Sequence, residues 1–237
     1  MTLGNASLKV GIKCQLTDSS GNFVDGNVTA SNVYSFLNDR HRQLYLKLIS
    51  KFPFLGELNE ELDLEDGESF YSFEDLTEDL LVPSYLGIKY ASTDTDYTRV
   101  LRKERGLLFK RNTSETNYDK SKPWYTFTRN ATGELGIQIT PTPDADVTDG
   151  LYFEYVLLPE DLSGVDDTFS IPEGLQDVMV AYAIADTWET KRDWGNSNQA
   201  LNRALLLENE FFANYNPKAS DTPVKIGIGK SYNPFSR

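Results

Sequence analysis

The residues of this chain with most potential for catalysis are one histidine, His41, and one cysteine, Cys14. A Ser-His-Asp or Cys-His site would need His41 beside Cys14 or a serine, because the base must activate the nucleophile. No G-x-S-x-G turn presents such a serine, and His41 lies on the apolar stripe of a predicted helix. A zinc site of histidine and cysteine is close to excluded by their number. We therefore expect a core or interfacial His41, no catalytic residue, no metal and no cofactor.

Acidic residues are concentrated at 57–79, which holds eleven aspartates and glutamates and no lysine or arginine. This stretch lacks the D-x-D/N-x-D/N-G spacing that folds a loop around calcium, so we expect a solvated acidic loop. Two of its carboxylates could instead form a glycosidase-type acid and base pair, since a sequence gives no carboxylate separation. The stretch "VKIGIGKSY" is not a phosphate-binding loop, because Val224 occupies the position of the first required glycine.

The net charge of −13 is unevenly distributed. Residues 57–79 carry −11, whereas residues 99–122 carry +5, from eight basic residues against three acids. Such opposed blocks can join copies head to tail, although two solvated loops would give the same pattern. Aromatic residues near the basic block suggest base stacking, but an acidic chain without a nucleic-acid-binding motif does not predict specific binding. The apolar run Val178–Ala185 is too short to cross a bilayer, so no membrane partner is expected.

Helical periodicity marks both ends of the chain. Within residues 31–51, the residues that repeat at helical spacing are Val33, Leu37, His41, Leu44 and Leu48. Ser31 is the expected N-cap of this helix, and Pro53 is expected to stop it.

A helical hairpin is predicted over residues 171–215. Pro172 suits the first helical position, Gly195 suits the position after the first helix, and Asn196 with Gln199 resembles a capping box for the second. Because Val178–Ala185 is apolar all round, we expect neighbours on more than one side of it, namely the helix of residues 31–51 and the second helix of the hairpin. The second helix places Leu201, Leu205 and Phe212 on one face.

The middle of the chain changes to strand periodicity. "PWYTFTRN" and "TGELGIQITPTP" flank turn residues 131–133, as in a hairpin, and Trp124, Thr126 and Thr128 alternate with their neighbours as in a sheet with one wet face. The predicted fold class is α+β: a helical bundle formed by the N- and C-terminal regions, with an inserted small antiparallel β-sandwich or barrel whose strands are joined in sequence. The predicted segments are 1–66 and 161–216 for the helical domain, 67–160 for the β domain, and 217–237 for an extended tail.

The order of these features resembles the head-to-tail adaptor proteins, or connectors, of tailed bacteriophages. The resemblance is carried by four stretches: "SLKVGIKCQLTDSSGNFVDGNVTASNVYSFLNDRHRQL", "LLVPSYLGIKYA", "KPWYTFTRNATGELGIQITPTPDADVTDGLYFEYVLLPEDLS" and "FSIPEGLQDVMVAYAIADTW". Together they cover roughly residues 7–193. The acidic stretch 57–79 is longer and more negative than the family pattern.

The resemblance implies a non-enzymatic virion protein of the phage neck, assembled in the host cytoplasm. It implies a homo-oligomeric ring of about a dozen copies that contacts the portal protein and tail proteins and lines the channel through which DNA passes. It also implies a C-terminal segment that reaches the portal. The basic and aromatic residues of the tail are the candidates for this contact: Lys225, Lys230, Tyr232, Phe235 and Arg237.

Two alternative functions remain open. One is another neck or tail component, such as a stopper or a tail terminator. The other is a carbohydrate-binding or glycoside-processing β-domain, for which the strand residues Trp124, Tyr125, Tyr152 and Tyr155 would supply an aromatic platform. Burial of Trp124 or Tyr155 in the sheet core would remove that platform.

Overall fold

A computed structural model of the protein describes residues 1–77, 79–103 and 119–215. The fold is α+β and divides into two compact units. Among the described residues, the helical unit contains Met1–Phe52 and residues 159–215, and the β unit is Pro53–Leu158.

The described part of the helical unit contains α-helices from both ends of the chain. They are α1 (Leu3–Lys13), α2 (Ala30–Lys51), α3 (Glu173–Thr190) and α4 (Trp194–Asn214). Helix α3 contacts α1, α2 and α4, and its side chains from Leu175 to Ala185 are almost all buried. The prediction that the apolar run packs against the helix of residues 31–51 and against its hairpin partner is confirmed, and both neighbours belong to the same chain.

Helix ends are less well predicted than helix positions. Helix α2 begins after Thr29 rather than Ser31, because Thr29 and Asn32 exchange hydrogen bonds as a capping box. Helix α4 is capped by Asp193, whose carboxylate accepts from the backbone N–H of Asn196. Gly195 therefore lies in the first turn of α4, and the positive φ that follows α3 is taken by Arg192, at 60°.

The β unit contains two sheets in the described residues. The first has the order β1-β8-β3-β4, and the second has the order β2-β7-β6-β5. The strands are β1 (Glu57–Leu64), β2 (Phe70–Ser72), β3 (Leu80–Ile88), β4 (Thr98–Arg99), β5 (Leu101–Arg102), β6 (Trp124–Arg129), β7 (Leu135–Thr140) and β8 (Val147–Leu157). All pairs are antiparallel except β5 with β6, which is parallel.

The two sheets share one hydrophobic core. Leu86 and Phe153 from the first sheet belong to the same buried cluster as Ile137 and Ile139 from the second. The predicted β6–β7 hairpin is confirmed. The prediction of strands joined in sequence is wrong, because β1 pairs with β8 and β2 pairs with β7. The prediction that one face of β6 is exposed to solvent is also wrong for Thr126, because this residue is buried.

The first part of the acidic stretch is a strand, not a loop. In β1, Leu58, Glu60, Leu62 and Leu64 alternate with more polar positions, so one side of the strand can face the core. The carboxylate of Glu60 on that side accepts hydrogen bonds from the hydroxyl of Tyr155 and from a backbone N–H. Glu57, Glu61 and Asp63 also lie on β1, which is at the edge of its sheet, where charge opposes pairing with further strands.

No helix within the described ranges is long and apolar enough to span a bilayer.

Candidate functional site

His41 is a core residue, as expected. It is 2 % exposed, and its ring packs edge-on against Phe169 and Tyr45. Nε2 contacts both the hydroxyl of Ser170 at 3.0 Å and its backbone N–H at 3.2 Å. Because a backbone N–H can only donate, it favours the neutral tautomer with Nε2 unprotonated. Burial lowers the pKa of His41 from 6.5 to about 4. A base this buried and this weak at neutral pH does not resemble a catalytic base.

Cys14 is buried with partners of its own. Its thiol donates to the carbonyl of Ile184 at 3.8 Å, and burial raises its pKa to about 12. The nucleophilic form of cysteine is the thiolate, so this thiol is inert at neutral pH. His41 and Cys14 therefore pack separately, each against different residues.

The acids of the 57–79 stretch make structural contacts with the β unit. Glu61 accepts from the hydroxyl of Tyr97 at 2.9 Å, and Asp63 accepts from the backbone N–H of Asp149 at 2.8 Å. Within residues 1–77, 79–103 and 119–215, no group of three or more histidines, cysteines or acids is placed to hold a metal ion.

The four aromatic residues considered for sugar binding do not form one exposed platform. Tyr155 and Tyr125 are buried in the core of the β unit. Trp124 is half-buried, with the amine of Lys103 4.7 Å from the centre of its ring. Tyr152 lies on β8, in the other sheet from Trp124, where it packs edge-on against Tyr85 and at a tilt against Tyr97. The burial of Tyr155 therefore removes the aromatic platform that a carbohydrate-binding site on these strands would need.

The most unusual surface of the described chain lies on α4. The buried residues of this helix are Ser197, Ala204 and Glu208, and Leu207, Phe211 and Phe212 are half-buried, whereas the other large apolar residues are exposed: Trp194, Leu201, Leu205 and Leu206. Trp194 is 60 % exposed, Leu201 37 % and Leu205 44 %. The spacing of seven and four residues places them on one face, which continues to Phe212; we call these four residues the α4 stripe.

A polar anchor sets the rotation of α4. The carboxylate of Glu208 is buried, accepts a hydrogen bond from the hydroxyl of Tyr182 at 2.6 Å, and pairs with the ammonium group of Lys47. Nearby, Arg40 of α2 forms a two-pronged ion pair with Asp186 of α3, at 2.7 and 2.5 Å. Because the Glu208 side faces α2 and α3, Trp194, Leu201 and Leu205 of the α4 stripe are left exposed. Phe212 is half-buried, with the ammonium groups of Lys47 and Lys51 over its ring.

A groove lies on the opposite flank of α4, between α1, α3 and α4. Its volume is about 590 Å³, and its floor is formed by Ile12, Ala181, Ile184, Trp188 and Leu207. Its rim carries the charged residues Lys9, Lys13, Asp177 and Arg203. We call it the three-helix groove.

Sequence patterns alone did not identify this groove. Ile12 is 60 % exposed on a helix whose other apolar residues mostly point inward. A helical wheel of α1 places Ile12 with Asn5, Leu8 and Lys9, away from the buried face of the helix. An apolar side chain at this position was the sign in the sequence that could have indicated the groove.

The chain matches no protein-family model, and no curated protein matches it.

The tail residues expected to contact the portal lie outside the described residues, and so does most of the basic block. They are Lys225, Lys230, Tyr232, Phe235 and Arg237, and residues 104–118 of the block.

Proposed function

We propose that this protein is a non-enzymatic structural component of a phage virion, a ring-forming head-to-tail adaptor that links the portal to the tail and lines the DNA exit channel. The resemblance of the four sequence stretches supports this proposal. The observation that carries it furthest is the uncovered apolar surface of α4. An exposed apolar stripe on a soluble domain typically marks a contact with another protein.

The helical unit has two such surfaces, on opposite flanks of one helix. A subunit of a closed ring contacts its neighbours through two different patches, and a connector also needs a contact with the proteins above or below it. In this proposal the α4 stripe serves a contact between copies, and the three-helix groove is a separate surface for a protein above or below the ring.

In the proposed assembly, the β unit is a small sandwich inserted in the chain between the N- and C-terminal helical segments. The C-terminal tail reaches the portal through Lys225, Lys230, Tyr232, Phe235 and Arg237. A net charge of −13 keeps DNA phosphates from adhering where acids face the channel. This repulsion extends only about 8 Å at physiological salt, so it acts through acids at the lumen alone.

Light scattering of the purified protein, alone and mixed with a purified portal ring, tests the proposal. We expect monomers alone and a large complex with the portal. Leu205→Glu should abolish the complex, because it places a charge in the α4 stripe. Leu206→Glu is the matched control, since Leu206 is also exposed on α4 but lies off the stripe.

Deletion of residues 217–237 tests the role of the tail independently of the α4 stripe. The shortened protein should stay folded by circular dichroism and lose attachment to the portal. Unchanged portal binding would refute the assigned role of the tail. Sugar-dependent quenching of tryptophan fluorescence, with no complex formed, would favour the carbohydrate alternative and overturn the adaptor proposal.

A further inference from the structure

We propose that the three-helix groove binds an amphipathic, acidic α-helix of a partner protein. The groove is half-open, and its floor is apolar, so a partner must bring apolar side chains into it. Ala181 on α3 and Ala200 on α4 are small residues that leave room between the helices. Trp188 adds a flat aromatic surface to the floor, and the ammonium group of Lys191 lies 5.2 Å from the centre of its ring.

The charge of the rim indicates an acidic partner. Lys9, Lys13 and Arg203 face one acid, Asp177, so the rim is net positive in a chain of net charge −13. Lys9 and Asp177 form a long, exposed ion pair of 3.5 Å. Within the described part of the chain, Lys13 and Arg203 have no carboxylate partner. Unpaired cations around an apolar floor attract acidic flanks and set the orientation of the bound segment.

A helix fits this groove better than an extended strand. The floor runs along α3 through Ala181, Ile184 and Trp188, at spacings of three and four residues. A helix with apolar residues at the same spacing can align its stripe with this row, which is the usual way in which a helix docks between helices. No free strand edge borders the groove, since its walls are the helices α1, α3 and α4.

The chain's own C-terminal segment is a poor occupant on charge. Residues 216–237 contain four basic residues and one acid, so this segment has the same sign as the rim. This charge argues against the chain's own C-terminal segment as the occupant, and the inference does not depend on the adaptor proposal.

The test uses a synthetic amphipathic helix with leucines at helical spacing and glutamates on its polar face. A second peptide keeps the leucines and replaces each glutamate with lysine. The protein carries Trp124→Phe and Trp194→Phe, so Trp188 is the sole tryptophan and reports on the groove. We expect the acidic peptide to shift its emission with a Kd on the order of 10–100 μM and the lysine peptide to bind at least about tenfold more weakly.

Variants of the groove then locate the site. Arg203→Glu should weaken the binding of the acidic peptide at least about fivefold, and Ile12→Asp should abolish it. Both positions are exposed, so the fold should be unchanged by circular dichroism. Lys122→Glu is the matched control, because it makes the same kind of charge change on an exposed residue of the β unit.

Equal binding of the two peptides, or unchanged affinity in Arg203→Glu, would overturn the proposal. Self-association of the protein that is blocked by Ile12→Asp would also overturn it, since a second copy would then occupy the groove. None of these outcomes involves the portal, so the adaptor proposal is tested separately by light scattering with the portal ring.

Discussion

Lowering the pH should destabilise the helical unit through His41. In the folded protein, burial lowers the pKa of His41 to about 4, with Asp161 opposing the shift and Arg42 adding to it. In the unfolded chain, histidine titrates near 6.5. Between these values the unfolded state binds more protons than the folded state, so folding stability falls as the pH falls. The stability is fully present above about pH 6.5 and stops changing through this group below about pH 4.

The size of the effect follows from the difference in pKa. A shift of this size corresponds to about 3 kcal/mol when the titration is complete, and to about 2 kcal/mol at pH 5. Two contacts of the folded state resist protonation at Nε2. The first is the backbone N–H of Ser170, whose hydrogen bond to Nε2 is lost when Nε2 takes up a proton. The second is the ring of Phe169, which packs edge-on against the imidazole.

Urea unfolding followed by far-UV circular dichroism, at pH values from 7.5 to 5, measures this loss. The control is His41→Gln, which keeps a hydrogen-bond acceptor and does not titrate. The free energy of unfolding of the native protein minus that of the variant should fall by about 2 kcal/mol from pH 7.5 to pH 5. The carboxylates titrate in both proteins, so their contributions to the free energy of unfolding cancel in this difference.

Nuclear magnetic resonance gives an independent measurement, because the chain has a single histidine and thus a single pair of imidazole signals. The folded-state titration of these signals should have its midpoint well below pH 6. A midpoint near 6.5, or a stability difference that does not change with pH, would refute the reasoning that burial keeps this imidazole neutral.

Two further substitution pairs test the packing. Tyr182→Phe should destabilise the protein by about 1–3 kcal/mol, because Glu208 loses a buried donor, whereas Tyr45→Phe should be neutral or stabilising, because its buried hydroxyl has no partner among the described residues. Thermal unfolding checks both, and equal losses would contradict the assignment. Gly136→Ala should cost at least about 2 kcal/mol, since its Cβ would lie 2.2 Å from a backbone oxygen of β2. Gly26→Ala, with no atom near its Cβ, is the control, and a similar cost at Gly26 would refute the steric explanation.

The sequence determined where most helices and one hairpin form. The spacing of Val33, Leu37, His41, Leu44 and Leu48 placed α2, since such a stripe can be buried only on a helix, and all of these residues are buried. The α3 run is apolar all round, and this property alone predicted neighbours on several sides. The β6–β7 hairpin followed from two alternating segments separated by turn residues.

Strand pairing in the β unit was not determined by local pattern. The partners β1 and β8 are separated by most of the β unit, and nothing within either segment specifies the other. The acidic composition of β1 obscured its alternating leucines. A carboxylate on the inner side of this strand is understandable only from the tertiary structure, in which the hydroxyl of Tyr155 donates a hydrogen bond to Glu60.

The surfaces that support the proposed function were decided by tertiary structure alone. The sequence placed Leu201, Leu205 and Phe212 on one face of α4, but it could not show whether that face is buried. Glu208 decided this, because a buried carboxylate must meet the donors of Tyr182 and Lys47, and satisfying it rotates the leucines toward solvent. Periodicity gives the faces of a helix, whereas the choice of the buried face depends on partners that are distant in the chain.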